Sequence, residues 1–369
     1  MKNITYIFSQ NRYENFINSK IEAREFYYGV DFLGKNNHIE IIEFENSNNL
    51  LLEFIDQVIS KLLSLPFYSS KLTNIKNFKT VINTDHLFLV NEGVGMSSIF
   101  LLIFSKLFNR NLQVSLFVMG LYSKELNFSY LKFFHNLLIK FLIFYIDNVL
   151  FLGKAEMNQA IKLHGKKTSK KFKFVPFCID DDFWSSDEKY EKRQKDRIIF
   201  VGNDSNRDYE LLVKIVKKLP NLKFIIVSSN TMLINLKLSN VEIYKGSWGN
   251  SNISDSKLKE LYKKAKLSII PLKDSFQPSG QSVALQSMSL GIPVLISNTK
   301  GFWDNSLFDN EKNIYFMNSS KDVDWAELIN NLFKNEESLN HVSKRAHETI
   351  ANNYSLKLFF NSLLKILKS

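Results

Sequence analysis

Cysteine is almost missing from this chain. The single residue, Cys178, allows no intramolecular disulfide and suits a reducing, cytoplasmic setting. Its isolation also removes every metal site built on thiolates. The six histidines stand apart, at 38, 86, 135, 164, 341 and 347, with no His-x-x-x-His pair, so no metal is expected. Only 6 prolines and 13 glycines occur in 369 residues, which excludes a low-complexity chain, and a hydrophobic content of 45% fits a globular one. No uncharged apolar run reaches about 18 residues, so no membrane-spanning helix is expected. The nearest candidates, SSIFLLIFSKLF and LLIKFLIFYIDNVLFLG, are short or broken by Lys106, Lys140 and Asp147. The opening MKNITYIFSQNRYEN turns polar within a few residues, unlike a signal peptide.

Positive charge is abundant. The net charge is +11, which points to an anionic partner. It is unevenly spread: between Leu126 and Val175 nine lysines face only Asp147 and Glu156, a balance of 9 − 2 = +7 in fifty residues. Lys132, Phe133, Phe134, Lys140, Lys166 and Lys167 lie in that segment. Basic side chains among aromatic anchors suit anionic lipid headgroups. A solvated face is the plainer reading. Nucleic acid is disfavoured, because the aromatics recur at helical apolar spacing rather than as a base-stacking platform.

Along the chain, apolar strand runs alternate with amphipathic helical stretches. NITYIFS, HIEIIEFE, HLFLV, NLQVSLFV, NVLFLG and KFKFVPF read as strands, separated by helical segments such as SNNLLLEFIDQVISKLLSL. After the polar CIDDDFWSSDEKYEKRQKDR, the alternation restarts with IIFVGN, KFIIVSS, VEIYKG, LSIIPL and VLISN. Such alternation predicts parallel sheets covered on both faces. The expected organisation is α/β, with two doubly wound Rossmann-like domains at 1–178 and 197–350 and a linker at 179–196. Residues 351–369 form a basic amphipathic helix that packs on the N-terminal domain or meets a membrane surface.

Ligands in open parallel sheets bind where strands end and helices begin. FQPSGQSVALQSMSLGIPVLIS, residues 276–297, is one such junction and carries no charge. From Ser275 to Trp303 there is no acid in 29 residues, where 37 acids in 369 would give about three. Ser279 is the expected N-cap, Gly291 the residue just past the helix, and Pro293 the stop. Ser282, Gln286 and Ser289 share a polar face. Helices ordinarily carry acids in the first turn; a bare N-terminus suits an anion such as a diphosphate. A wholly buried helix would also lack acids.

In IIFVGNDSNRDYELL, Gly202 allows close backbone approach, and Arg207 reads as a phosphate ligand or as a partner of Asp204 or Asp208. In LVNEGVGMSS, Glu92 at a strand end is a candidate base or a solvated loop carboxylate, with Ser97 and Ser98 near the start of a helix.

The stretch FVPFCIDDDFW resembles the join between domains in GT-B glycosyltransferases, and VEIYKGSWGN through GIPVLIS resembles the donor-binding half of glycosyltransferase family 4. The likeness covers about residues 148–300. It implies a GT-B fold whose domains face each other across a cleft that takes a nucleotide-sugar, UDP-linked in our expectation, with no cofactor and no metal. It implies further that Gly202, Asn203 and Arg207 approach the diphosphate, that Ser279, Gly280, Gln281 and Ser282 meet phosphates or sugar, that Gln286 meets ribose hydroxyls, and that Ser247 and Trp248 touch the base. Arg207 and Gln277, with Glu92, are the candidates for the reaction itself. The family's two-glutamate motif is absent: Gln286 replaces the second Glu, and Gln277, Pro278 or Ser279 the first. Asn203 replaces the usual Arg, and Met119-Gly120 occupies the turn of the sugar-facing His. The expected activity is hexosyl transfer, retaining, to a lipid or lipid-linked acceptor at the cytoplasmic membrane surface. A soluble or polysaccharide acceptor, or a non-catalytic nucleotide-sugar-binding scaffold, is the alternative.

Overall fold

A computed structural model describes residues 1–9, 12–13, 22–46, 49–123, 129–185, 196–246 and 253–368. The chain forms two compact units. The first contains Met1–Asn18, Tyr27–Pro176 and Phe360–Ser369; the second contains Ser19–Phe26 and Phe177–Phe359.

The first unit holds a sheet of strands β1 (Asn3–Phe8), β2 (His38–Glu43), β3 (His86–Leu89), β4 (Gln113–Val118), β5 (Asn148–Phe151) and β6 (Phe172–Phe174). Their order is β2-β1-β3-β4-β5-β6, every pairing parallel. The inner strands are buried throughout, as their apolar runs require. Helices α1 (Leu50–Leu63), α2 (Ile75–Ile82), α3 (Glu92–Ser97), α4 (Ile99–Phe108), α5 (Ser129–Tyr145) and α6 (Lys154–Thr168) make the connections. Asn49 and Asn74 cap α1 and α2 by accepting from Leu52 and Asn77 backbone N–H groups. The crossovers β2 to β3, β3 to β4 and β4 to β5 all move the same way along the sheet. Right-handed connection therefore sets α1, α4 and α5 on one face, and α5 packs beside both others.

The second unit repeats the plan with β7 (Arg197–Val201), β8 (Lys223–Val227), β9 (Val241–Tyr244), β10 (Ala265–Ile270), β11 (Val294–Ser297) and β12 (Tyr315–Met317). The order β12-β11-β10-β7-β8-β9 is again wholly parallel. The chain leaves β7 toward β8 and β9, then returns to the other side of β7 with β10. The carboxyl ends of β7 and β10 therefore flank the point where the strand order reverses. Helices α7 (Tyr209–Lys218), α8 (Asp255–Lys263), α9 (Gln281–Ser289), α10 (Asp322–Lys334) and α11 (Glu336–Asn353) cover this sheet. One core includes Leu212, Ile215, Phe224, Leu267, Trp325 and Ile329.

Two local expectations are corrected, for Glu92 and for the linker. Glu92 stands not in a loop but at the first position of α3, capped by Asn91, whereas Ser97 closes α3 and Ser98 is the N-cap residue of α4, at the start of a helix as expected. Arg207 precedes α7, which Asp208 caps by accepting from the Leu211 N–H at 2.9 Å. Within the expected linker, Ile179 and Trp184 are fully buried in the second unit. A last helix, α12 (Leu356–Lys368), buries Leu356, Phe359, Phe360, Leu363, Ile366 and Leu367, which leaves no continuous apolar face for a membrane.

Candidate functional site

The loops after β7 and β10 are locked together. Asp208 N donates to Pro271 O at 3.0 Å and Lys273 N to Asn206 O at 2.9 Å, and Arg207 bridges Leu272. The Asn206 amide then donates to Gln277 Oε1 at 2.7 Å and to Ser279 Oγ at 2.9 Å. Gly301 closes the loop from the far side, since a side chain there would meet the backbone of 275–277 at about 2.5 Å. The loop bearing Gln277 and Ser279 is thus held in one shape from both neighbours.

Ser279 does not cap α9. Gly280 does, at φ 79, with no side-chain hydrogen bond to the helix. A positive φ is easy only for glycine, and it moves the start of the helix one residue on, which leaves the Ser279 hydroxyl to Asn206. The other end follows the sequence reading: Gly291, at φ 69, donates to Met288 O, and Ile292 N to Ser287 O, the paired bonds of a Schellman motif. The first turn of α9 has neither an acid nor a side-chain cap. The helix is also buried along nearly its whole length, Ser282 being the part-exposed exception, so both explanations of its missing acids hold.

Arg207 lies against both glycines. Its Nε is 2.3 Å from where a Cβ on Gly202 would sit, and its Nη1 is 3.0 Å from the same point on Gly280. Only 3% of the residue is exposed, and Nε and Nη1 take no hydrogen bond. Asp204 Oδ2 stands 3.5 Å from Nε as the nearest counter-charge. Burial of unsatisfied cationic donors is costly unless something else engages them.

Two expected ligands are occupied by the protein. The Asn203 amide donates to Gly246 O at 2.8 Å and accepts from Ser228 and Ser229, tying the β7 loop to those after β8 and β9. Gln286, on α9, donates to Glu25 Oε1 at 2.9 Å. Glu25 also accepts from Trp184 Nε1 at 2.8 Å and Asp180 N at 3.2 Å. Burial raises its carboxyl to about 7, against the pull of these donors. Arg24 pairs with Asp180 through Nε and Nη2, and Asp255 accepts from Glu22 and Ala23 N–H groups, so residues 22–25 are strapped onto the second unit. Ser247 and Trp248 lie outside the described residues.

The structure therefore brings Gly202, Arg207, Gln277, Ser279 and Gly280 together, with Gln281 and Ser282 opening α9. Sequence reasoning missed Asn206, whose two bonds join the loops, and Glu25. Asn206 lies in the quoted NDSNRDY stretch. Glu25 gives no local signal, because its partner is 261 residues away.

Glu92 belongs to the first unit, at the carboxyl end of β3, partly exposed. Its Oε2 accepts from Met119 N at 3.3 Å, across the turn that follows β4. On the outer helices, α5 exposes Tyr130, Phe133, Phe134, Leu137, Phe141 and Phe144, a stripe at helical spacing. Lys132, Lys140, Lys166 and Lys167 are exposed as well. Leu51, Phe54 and Leu62 on α1 and Phe104, Leu107 and Phe108 on α4 extend this apolar surface. No helix among the described residues is long and apolar enough to cross a membrane.

Residues 182–349 match the family described as glycosyl transferases group 1. No curated protein matches the sequence. Among solved structures, the whole chain is similar to HepE of Anabaena, solved with UDP and glucose, at a TM-score of 0.68 and 11% identity, covering 100% of each chain. Sucrose-phosphate synthase of Thermosynechococcus elongatus gives a TM-score of 0.72 at 11% identity over 100% of this chain and 98% of that one. TarM of S. aureus, solved with fondaparinux, alpha-GlcNAc-glycerol and UDP, gives 0.65 at 14% over 100% of both.

Proposed function

We propose that this chain, with its GT-B fold and its group 1 match over residues 182–349, is a glycosyltransferase that moves a hexose from a UDP-sugar to a lipid or lipid-linked acceptor at an anionic, cytoplasmic membrane surface. The observation that carries the donor half is Arg207. A buried guanidinium with two unengaged N–H groups, at the strand-order reversal and beside the uncapped N-terminus of α9, is a site for a diphosphate. UDP itself is the choice because similar structures were solved with it.

In this reading Arg207 and the first turn of α9 stabilise the charge that develops on the leaving diphosphate. Gly202 and Gly280 admit the phosphates close to the backbone. Gln277, fixed by Asn206, borders the sugar. Glu92 takes the proton of the acceptor hydroxyl as its oxygen bonds to the anomeric carbon, while the bond to UDP breaks and its electron pair leaves with the phosphate. Retention at the anomeric carbon follows in this scheme because the hydroxyl attacks on the same face from which UDP leaves.

The membrane half rests on the apolar faces of α1, α4 and α5 beside exposed lysines. Exposed apolar area of this kind marks an interaction surface, and the lysines suit anionic headgroups. The test offers UDP-glucose with diacylglycerol or a polyprenyl phosphate in anionic vesicles, and in parallel with soluble sugars. Turnover with lipid acceptors is expected, with the anomeric configuration of the product read by NMR. Turnover with soluble sugars alone would overturn the acceptor assignment, and absence of UDP binding would overturn the donor site.

A further inference from the structure

A second carboxylate stands behind Glu92. Glu156, in the first turn of α6, is fully buried. Its Oε1 accepts from Tyr122 N at 3.0 Å, and the Gly120 N–H also bonds the carboxyl. Glu92 accepts from Met119 N in the same turn. Two carboxyls thus grip one four-residue turn, Met119 to Tyr122, just past β4, where Gly120 has a φ of 151. The other oxygen of Glu156, Oε2, is buried and has no hydrogen-bond partner. The carboxyl ends of β3, β4 and β5, adjacent in the sheet, are where a doubly wound sheet takes its ligand.

We propose that Glu92 and Glu156 form the hydroxyl-binding site for the acceptor, with Glu92 touching the hydroxyl and Glu156 positioning it from behind through the 119–122 turn. The inference rests on the transferase reading above. Burial and the nearby Glu92 charge raise Glu156 to about 8, so at neutral pH Glu156 is mostly protonated. A neutral Glu156 carries an O–H that no protein group accepts. The other titratable groups near it are Tyr122, whose hydroxyl meets His164 Nε2 at 2.9 Å, and His164, which burial holds neutral, at about 4. Neither supplies a positive charge to hold Glu156 ionised.

As pH rises through about 8, Glu156 ionises beside Glu92, and the two charges repel across the turn. The acceptor KM of the wild type should then rise, with no change in UDP affinity. Glu156→Leu, which can neither accept from the turn nor donate, should raise the acceptor KM roughly tenfold or more at neutral pH. Glu156→Gln restores an acceptor and a donor. It should recover most of that loss and abolish the rise above pH 8. The assay uses UDP-glucose with a short-chain diacylglycerol, and glucose as the soluble arm. An unchanged KM in Glu156→Leu, or a Glu156→Gln profile that keeps the wild-type rise, overturns the proposal. If Glu156→Leu does not fold, the Glu156→Gln profile decides alone. Failure of the transferase reading shows separately, as a wild type that does not bind UDP. In that case infrared difference spectroscopy decides: the neutral-carboxyl band missing from Glu156→Gln should shift when either probe is added, and a band that does not respond overturns the site.

Discussion

Replacing Arg207 by Met should make the ligand-free protein more stable while weakening its hold on UDP. The opposite signs follow from the geometry. The aliphatic stem of Arg207 lies over Gly202 and Met keeps most of that packing, whereas Nε and Nη1 are buried with no hydrogen bond. An unsatisfied buried donor costs about 1–3 kcal/mol. Asp204, whose side chain is 41% exposed, is re-solvated when its partner goes, at a cost under about 1 kcal/mol. The net expectation is a gain of roughly 1–2 kcal/mol in unfolding free energy without ligand. A charged hydrogen bond to phosphate is worth about 1.5–3 kcal/mol, so UDP affinity should fall roughly 10- to 150-fold. Thermal unfolding reads both effects. At UDP about 100 times the wild-type Kd, the wild type gains about 2.7 kcal/mol; a variant bound 100-fold more weakly gains only about 0.4 kcal/mol. A variant that is less stable without ligand and still gains the full increment with UDP would make Arg207 a structural residue and refute the diphosphate site.

Three further outcomes are expected. Gly280→Ala forces a side chain into φ 79 and brings its Cβ within 2.9 Å of Ile270 Cγ2 and 3.0 Å of Arg207 Nη1, so about 1–3 kcal/mol of stability and most UDP binding should be lost together, as calorimetry will show. Stability should also fall with rising pH. Glu25 and Glu156 are raised from 4.5 to about 7 and about 8, so their neutral forms favour the folded state; this contribution is complete below about pH 4.5 and is lost as pH climbs to those values. The span for Glu156 corresponds to roughly 5 kcal/mol, an order of magnitude, and Glu156→Gln should flatten the urea-midpoint profile between about pH 5 and 9. Phe133→Glu combined with Phe144→Glu should reduce sedimentation with phosphatidylglycerol vesicles at least tenfold and leave UDP affinity unchanged, because both side chains are exposed on α5.

The parallel sheets were legible because long apolar runs and amphipathic stretches alternate, and each carries its own period. The end of α9 was legible for a local reason as well: Gly291 and Pro293 are chemically suited to stop a helix. The start was misjudged by one residue because Ser279 satisfies every compositional rule for a cap, while the positive φ of Gly280 is fixed by packing against Ile270 and Arg207. Glu92 was placed in a loop because α3 spans six residues, fewer than two turns, too short to show a period. The partners of Gln286 and Asn203 lay beyond sequence reasoning, since burial and distant chain segments choose them.

Position 286 shows why a glutamine belongs in α9. A carboxylate there would stand about 3 Å from Glu25 inside the second unit, and two such groups cannot both ionise. Gln286 instead donates to Glu25, and Trp184 and Asp180 supply the other donors, so the carboxyl brought by residues 22–25 sits on α9 without a second negative charge. Gln286→Glu would therefore not add a missing function. It should force the pair to share one proton and destabilise the unit by roughly 3–5 kcal/mol above neutral pH, much less near pH 5, where both are protonated. Denaturant titration at the two pH values checks this, and equal losses at both would show that sterics, not charge, excludes Glu there. The acid-free run thus has two electrostatic reasons at different points of one helix: an N-terminus that the proposed diphosphate would meet, and a middle already facing a buried carboxyl.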